Sequence, residues 1–370
     1  SIVATPTAAV VPVAVPVVVN FAAANKARYN FFNSAKYTDI GNLLGKKYTL
    51  QYETYTKNKQ TLLFPTKQEV RPASLSWNSN GGQVSNGETY TFGPSQDFRM
   101  VACGQGTGNT LAYSSNGIQW AGIGKTVFTS SGNAVAWNGA AWLGAGSGGN
   151  ALAYSLDGIV WTGLGTGTFT LASSVTWNGT LWVLTGGGSG NTLAYSYCGL
   201  AFGGLGTSIF DTAGYTSAYS GTIWVAGGAG TGNTLAYSSD GVLWRGLGKR
   251  VFTTTCFNVC WNGTIWVGAG NGGNTLSYSY DGLNWTGLGS IMFTTAGNMV
   301  EWNGSVFVAG GEGGNTLAYS LDGVNWTPLG ANTFTTRCQS VKWNGSVFLT
   351  GGVGGNTMAY SADGINWTGI

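Results

Sequence analysis

Few residues in this 370-residue chain can do acid–base or nucleophilic chemistry, and one type is missing outright: there is no histidine. That removes the commonest general base and a frequent metal ligand together. No serine has an imidazole partner for a nucleophilic triad. The Gly-Gly runs precede strand-like rather than helix-like sequence, so no phosphate loop is formed, and neither a metal nor a cofactor is expected. Paired carboxylates are the one catalytic chemistry left open, through Glu301 with Glu312 or Asp211, as in glycoside hydrolysis. The other acids are mostly Asp residues of a repeated Asp-Gly turn, where a carboxylate accepts hydrogen bonds from turn amides. The chain is therefore expected to be non-enzymatic. For binding, the candidates are Glu301 and Lys342, which hold the same slot one repeat apart and can pair in or near a channel, with Arg337 close by.

Five cysteines, Cys103, Cys198, Cys256, Cys260 and Cys338, read as reduced, buried and small hydrophobes. Cys256 and Cys260 sit four apart on one expected strand, roughly 13 Å along it, too far to bridge. Folding in a reducing compartment follows from that usage.

The frame that must position these groups is a repeat. Asn109, Asn150, Asn191, Asn233, Asn274, Asn315 and Asn356 each open a copy of Asn-Thr-Leu-Ala-Tyr-Ser or a close variant, at spacings of 41, 41, 42, 41, 41 and 41 residues. A period of about 40–50 residues with strand chemistry in each copy is the mark of a β-propeller. The expected fold is all-β: a seven-bladed β-propeller of four-stranded blades with an extended N-terminal arm. One blade reads from Phe293 to Gly330. A first strand ends at Trp302, Asn303-Gly304 makes a two-residue turn with positive φ, and Ser305 to Gly311 is a second strand. Asn315 to Ser320 is a third strand, and a turn at Asp322-Gly323 leads to a fourth at Asn325 to Gly330. If that turn is a two-residue hairpin, Tyr319 faces Trp326 across it. Unit 1 is expected to begin near Thr89, so that closure borrows no strand from the other terminus.

Residues 1–80 differ in kind from residues 81–370. Pro6, Pro12 and Pro16 forbid a regular helix in a Val/Ala-rich run that is too short to span a bilayer, so no transmembrane segment is expected. An extended arm fits it. Asn33 to Leu44 could hold one short helix, and Tyr48 to Tyr55 pairs with Gln60 to Phe64 across Lys57-Asn58-Lys59. Residues 1–86 hold nine Lys/Arg and three acids, whereas residues 87–370 hold seven and ten. The basic half could meet an acidic partner, although nucleic acid is not the expected one.

Six units carry Ser-x-(Asp/Asn)-Gly-x-x-Trp, from Ser114–Trp120 through Ser361–Trp367. This turn resembles the Asp-box (BNR) repeat of sialidase-type propellers, shortened by one residue. With Trp-Asn-Gly and Gly-Gly-Asn-Thr-Leu-Ala-Tyr-Ser, the unit resembles repeat proteins encoded by large DNA viruses of algae and protists. A sialidase resemblance would imply three clamping arginines, but none of Arg99, Arg245, Arg250 and Arg337 stands in an Arg-Ile-Pro setting. The viral resemblance implies a non-enzymatic structural or surface protein, a capsid or spike component at a virion surface or otherwise extracellular. Residues 1–80 would anchor it among protein partners and the propeller would be displayed for protein or host contact. A carbohydrate-binding, lectin-type propeller that takes surface glycans is the alternative. Unit 3 departs from the pattern, with Cys198 for Asp, Phe202 for Trp, and Tyr219-Ser220-Gly221 in the Trp-Asn-Gly slot, and this cluster could mark a contact site.

Overall fold

The structure is a computed structural model that describes residues 100–114 and 119–370 and, as backbone, 52–57 and 60–65. The chain divides into two compact units, Ser1–Phe98 and Arg99–Ile370. In the first, Tyr52–Lys57 and Gln60–Pro65 form an antiparallel hairpin with Lys57 opposite Gln60. The Val/Pro run, the expected helix at Asn33 to Leu44, and Thr89 lie outside the described residues.

The second unit is all-β, with no helix among the described residues and hence none long and apolar enough to cross a membrane. The sixth copy of the repeat shows the plan. Ala296–Trp302, Phe307–Glu312, Leu317–Ser320 and Thr327–Pro328 run antiparallel, each bonded to the next. Copies 2 to 7 repeat it, and copy 1 supplies three described strands, Met100–Cys103, Leu111–Ser114 and Ala121–Gly124. The four-strand groups are not separate sheets, however. They join two by two into three eight-stranded sheets, each through a single cross-pair: Leu171 with Ser147, Thr255 with Ala229, and Arg337 with Glu312. The start of one unit's first strand lies against the end of the preceding unit's second strand, and that one bridge fuses the pair.

First strands of successive units lie side by side in chain order. Asn344 Nδ2 meets Met100 Sδ at 3.4 Å, which sets copy 7 against copy 1. A repeat protein whose units curl around a common axis through their first strands is a β-propeller.

The repeated hexapeptide is explained by its bonds. Asn150 Oδ1 accepts from the Gly165 amide and Nδ2 donates to the Val127 carbonyl, which ties the outer strand to the beginning of the same unit. Asn191 and Asn233 repeat this with Gly206 and Thr168, and with Gly248 and Ile209. The following threonine reaches the next unit: Thr192, Thr234 and Thr316 donate to the carbonyls of Phe210, Phe252 and Phe334 at 2.7, 2.7 and 2.9 Å. Leu and Ala are buried between units, and Ser closes the turn. Copy 2 has Ala151 in the threonine slot, fully buried and without that bond. Ala151→Thr is expected to restore a bond to Phe169 and add about 1 kcal/mol of stability. Urea denaturation checks it, and an unchanged or lower midpoint would refute it.

Two turns differ from the sequence expectation. Asn303 does not take a positive φ. Its Oδ1 accepts from the Ser305 and Val306 amides at 2.9 and 2.8 Å, and only Gly304 is left-handed, at φ 101°. A side-chain cap at the first turn position replaces the expected pair of left-handed residues. Nor does Tyr319 face Trp326: its partner is Thr327, because the Asp-Gly turn is a longer loop than a two-residue hairpin. The aromatic pair lies elsewhere, across the first hairpin, as Trp302–Phe307 at 4.5 Å and Trp261–Trp266 at 5.0 Å.

Candidate functional site

The Asp-Gly turns are self-contained. Asp322 Oδ1 accepts from the Val324 and Asn325 amides, and Oδ2 accepts from the Asn325 carboxamide at 2.8 Å. Ser320, buried, accepts from the Gly323 amide at 2.9 Å, and Trp326 Nε1 donates to the Gly323 carbonyl. The carboxylates are committed to turn amides. No group of three or more metal-type ligands occurs among the described residues.

These bonds have an acid signature. Partial burial pulls the Asp281 and Asp322 carboxyls up. The Asn284 and Asn325 amides and carboxamides, with the neighbouring amides, outweigh it and bring both down to about 2. In Asp363 the Asn366 amide and carboxamide lead, and the carboxyl again falls. A depressed folded-state value stabilises the fold fully above the unfolded value of about 4 and is lost as pH falls through the folded one. Thermal stability is therefore expected to fall between pH about 4 and about 2 through these groups. Asp322→Asn should cost about 1–2 kcal/mol at pH 7 and much less at pH 2, where the carboxyl is about half protonated. An equal loss at both pH values would show that the charge is irrelevant.

The structure brings two of the three sequence-predicted binding residues together and separates the third. Lys342 Nζ lies 2.7 Å from Glu301 Oε2, with the side chains 70% and 17% exposed. Glu301 holds the lysine above its ordinary value. With the lysine mostly in water, the pair contributes under about 1 kcal/mol. Cys260 occupies the same slot in copy 5, and burial, then Glu301, push its thiol up to about 12. Arg337 sits five residues before Lys342 on the same strand, at the far side of a β-bulge. No paired-carboxylate centre forms around the expected acids: Glu301 is tied to Lys342, Asp211 accepts from the Thr231 amide and hydroxyl, and Glu312 lies beside Arg337.

The bulge was missed in the sequence. Every first strand from copy 2 to copy 7 shifts register by one residue at the same place: Asn133, Ser173, Tyr215, Phe257, Asn298 and Gln339 are skipped by the ladder. A bulge re-aims the extra side chain and is frequent beside binding sites. These six positions vary in type, as do the residue after each and the slot before the closing aromatic, and that variation was the available signal. Three of them, Phe257, Asn298 and Gln339, line a cavity of about 350 Å³ together with Asn271, Glu312 and Arg337. Asn271 Oδ1 is buried there without a hydrogen-bond partner. Tyr215 meets Phe257 edge-on, with ring centroids at 5.5 Å.

No family model and no curated protein matches the chain. Among solved structures it is similar to the computationally designed Ika8 protein, at 13% identity and a TM-score of 0.46, over 88% of this chain and 98% of that one. It is similar to a chain of the mitotic checkpoint complex at 14% identity and 0.48, over 65% and 80% respectively. It is similar to the WD40 β-propeller domain of Doa1 at 10% and 0.47, over 72% and 86%. Overlaps of this size say nothing about ligand or partner.

Proposed function

We propose that this chain is a non-enzymatic recognition protein: a propeller displayed on a surface, with residues 1–80 as the anchoring arm. We read its seven copies as seven four-stranded blades, the eight-stranded sheets being neighbouring blades tied at one bridge. The observation that carries the reading is the division of labour within each unit. The repeated residues are spent on bonds that hold units together, while the first strands carry residues that differ from unit to unit, the bulge positions among them. Residues that only built a barrel would have no reason to differ there. The capsid or spike setting comes from the resemblance of the repeat to viral repeat proteins and from the uncharged surface implied by 8% charged residues.

The test compares the full chain with residues 81–370 by size-exclusion chromatography with light scattering. A defined oligomer formed only by the full chain supports the anchoring arm. Identical monomers would overturn its role in self-assembly. The lectin reading is kept as a second one because of the cavity at Phe257, Asn271 and Arg337.

A further inference from the structure

We propose that the cavity between the first strands of copies 5, 6 and 7 is a saccharide site that takes an uncharged mono- or disaccharide. This rests on the reading of the propeller as a recognition module and names its ligand. At about 350 Å³ the cavity falls within the range of small-molecule sites, about 300–1,000 Å³.

Its lining has the chemistry of polyol recognition. Asn271, Asn298 and Gln339 bring three carboxamides, each both donor and acceptor, as sugar hydroxyls are. Arg337 adds a planar set of donors and Glu312 an acceptor-only group. The side chains of Arg337, Glu312 and Gln339 make no hydrogen bond or ion pair to any described residue. Their formal charges cancel, so the site does not select a polyanion. Phe257 offers an apolar ring for the C–H face of a pyranose, and its edge contact with Tyr215 holds that ring in place.

Two observations point beyond a solvated dent. Asn271 lines the cavity and its Oδ1 is buried without a hydrogen-bond partner, so no protein group holds that carboxamide oxygen against a turn toward a ligand hydroxyl. Asn298 is already oriented, since its Nδ2 donates to the Cys338 carbonyl of the next unit at 2.9 Å. Phe257, Asn298 and Gln339 come from the bulges of three consecutive units, at positions that differ between units.

The test titrates the full chain with D-glucose, D-galactose, D-mannose, L-fucose and N-acetyl-D-glucosamine, followed by ligand-observed NMR and calorimetry. Saturable binding of at least one sugar is expected, at millimolar affinity. Arg337→Ala, Phe257→Ala and Asn271→Ala should each weaken it at least tenfold. Leu156→Ala, an exposed position of copy 2 outside the cavity, should leave affinity unchanged. Thermal melts separate recognition from structure: Asn271→Ala removes an unpaired group, so the melting temperature should hold or rise while binding falls. No saturable binding of any sugar would overturn the proposal, as would binding that survives all three cavity variants. The anchoring role of residues 1–80 stands or falls separately, on the arm-deletion measurement, which does not involve the cavity.

Discussion

Gly311→Ala is expected to destabilise the propeller by about 3 kcal/mol, a fall in melting temperature on the order of 5–10 °C. A Cβ at Gly311 would lie 2.4 Å from Phe293 Cγ and 2.5 Å from the Ala296 carbonyl oxygen. Neither can give way. Phe293 is fully buried, and Ala296 is held in the ladder opposite Glu312. The contact is the unit's central joint: the ring that opens the first strand lies on a bare glycine of the second. It recurs as Phe128 on Gly146, Phe169 on Gly186, Phe210 on Gly228, Phe252 on Gly270 and Phe334 on Gly352. A methyl group there forces ring and strand apart and loosens the first strand, through which each unit meets its neighbours. Gly167→Ala is the control, since nothing lies within 4 Å of its Cβ and its φ is not left-handed. It should change stability by less than about 0.5 kcal/mol. Scanning calorimetry of both variants decides the matter, and equal melting temperatures would refute the joint.

Iodoacetamide at pH 7.5 is expected to modify Cys198 at least about 100-fold faster than any other thiol of the native chain described here. Cys198 is the exposed one of the five, contrary to the expectation that all were buried. It stands in the Asp slot of the unit 3 turn, within the same cup of amides. Hydrogen bonds from Leu200, then Ala201, lower its pKa below the ordinary thiol value. Burial pushes Cys103, Cys260 and Cys338 up to about 12 and raises Cys256 as well. The thiolate is the nucleophile, so both the anion fraction and access favour Cys198. Peptide mapping after brief labelling should find one modified cysteine, with the others labelled only after unfolding. A different first site would refute the argument. Cys198→Asp should then abolish native labelling and add about 1 kcal/mol, because a carboxylate accepts from those amides better than sulfur does.

Much of the frame was legible in the linear chain, and the reason is repetition. A residue needed in every unit appears at a fixed spacing, so Asn315, Thr316, Ser320, Asp322 and Trp326 announce a strand, a turn and a packing role before any coordinates are known. The pairing of Glu301 with Lys342 was legible for the same reason: equal slots 41 residues apart fall side by side on adjacent first strands. The turn details were less visible. Asn-Gly and Asp-Gly read alike as tight hairpins, yet Asn303 caps with its side chain while Asp322 organises a longer loop. Which of these wins depends on hydrogen bonds to residues two and three further on, not on the dipeptide.

By itself the sequence determined the all-β class, the repeat and its length, the absence of imidazole chemistry, and the residues that join units, because each follows from composition or from a local pattern copied many times. Only the tertiary structure decided that units fuse in pairs through one bridge, that Cys198 faces water, that Arg337 lies away from Lys342, and that Phe257, Asn271, Asn298, Glu312, Arg337 and Gln339 share a cavity. The cavity turns on a one-residue bulge in each first strand. A register shift reverses which way a side chain points, and it leaves no periodic mark because the skipped residue is one that the repeat does not specify.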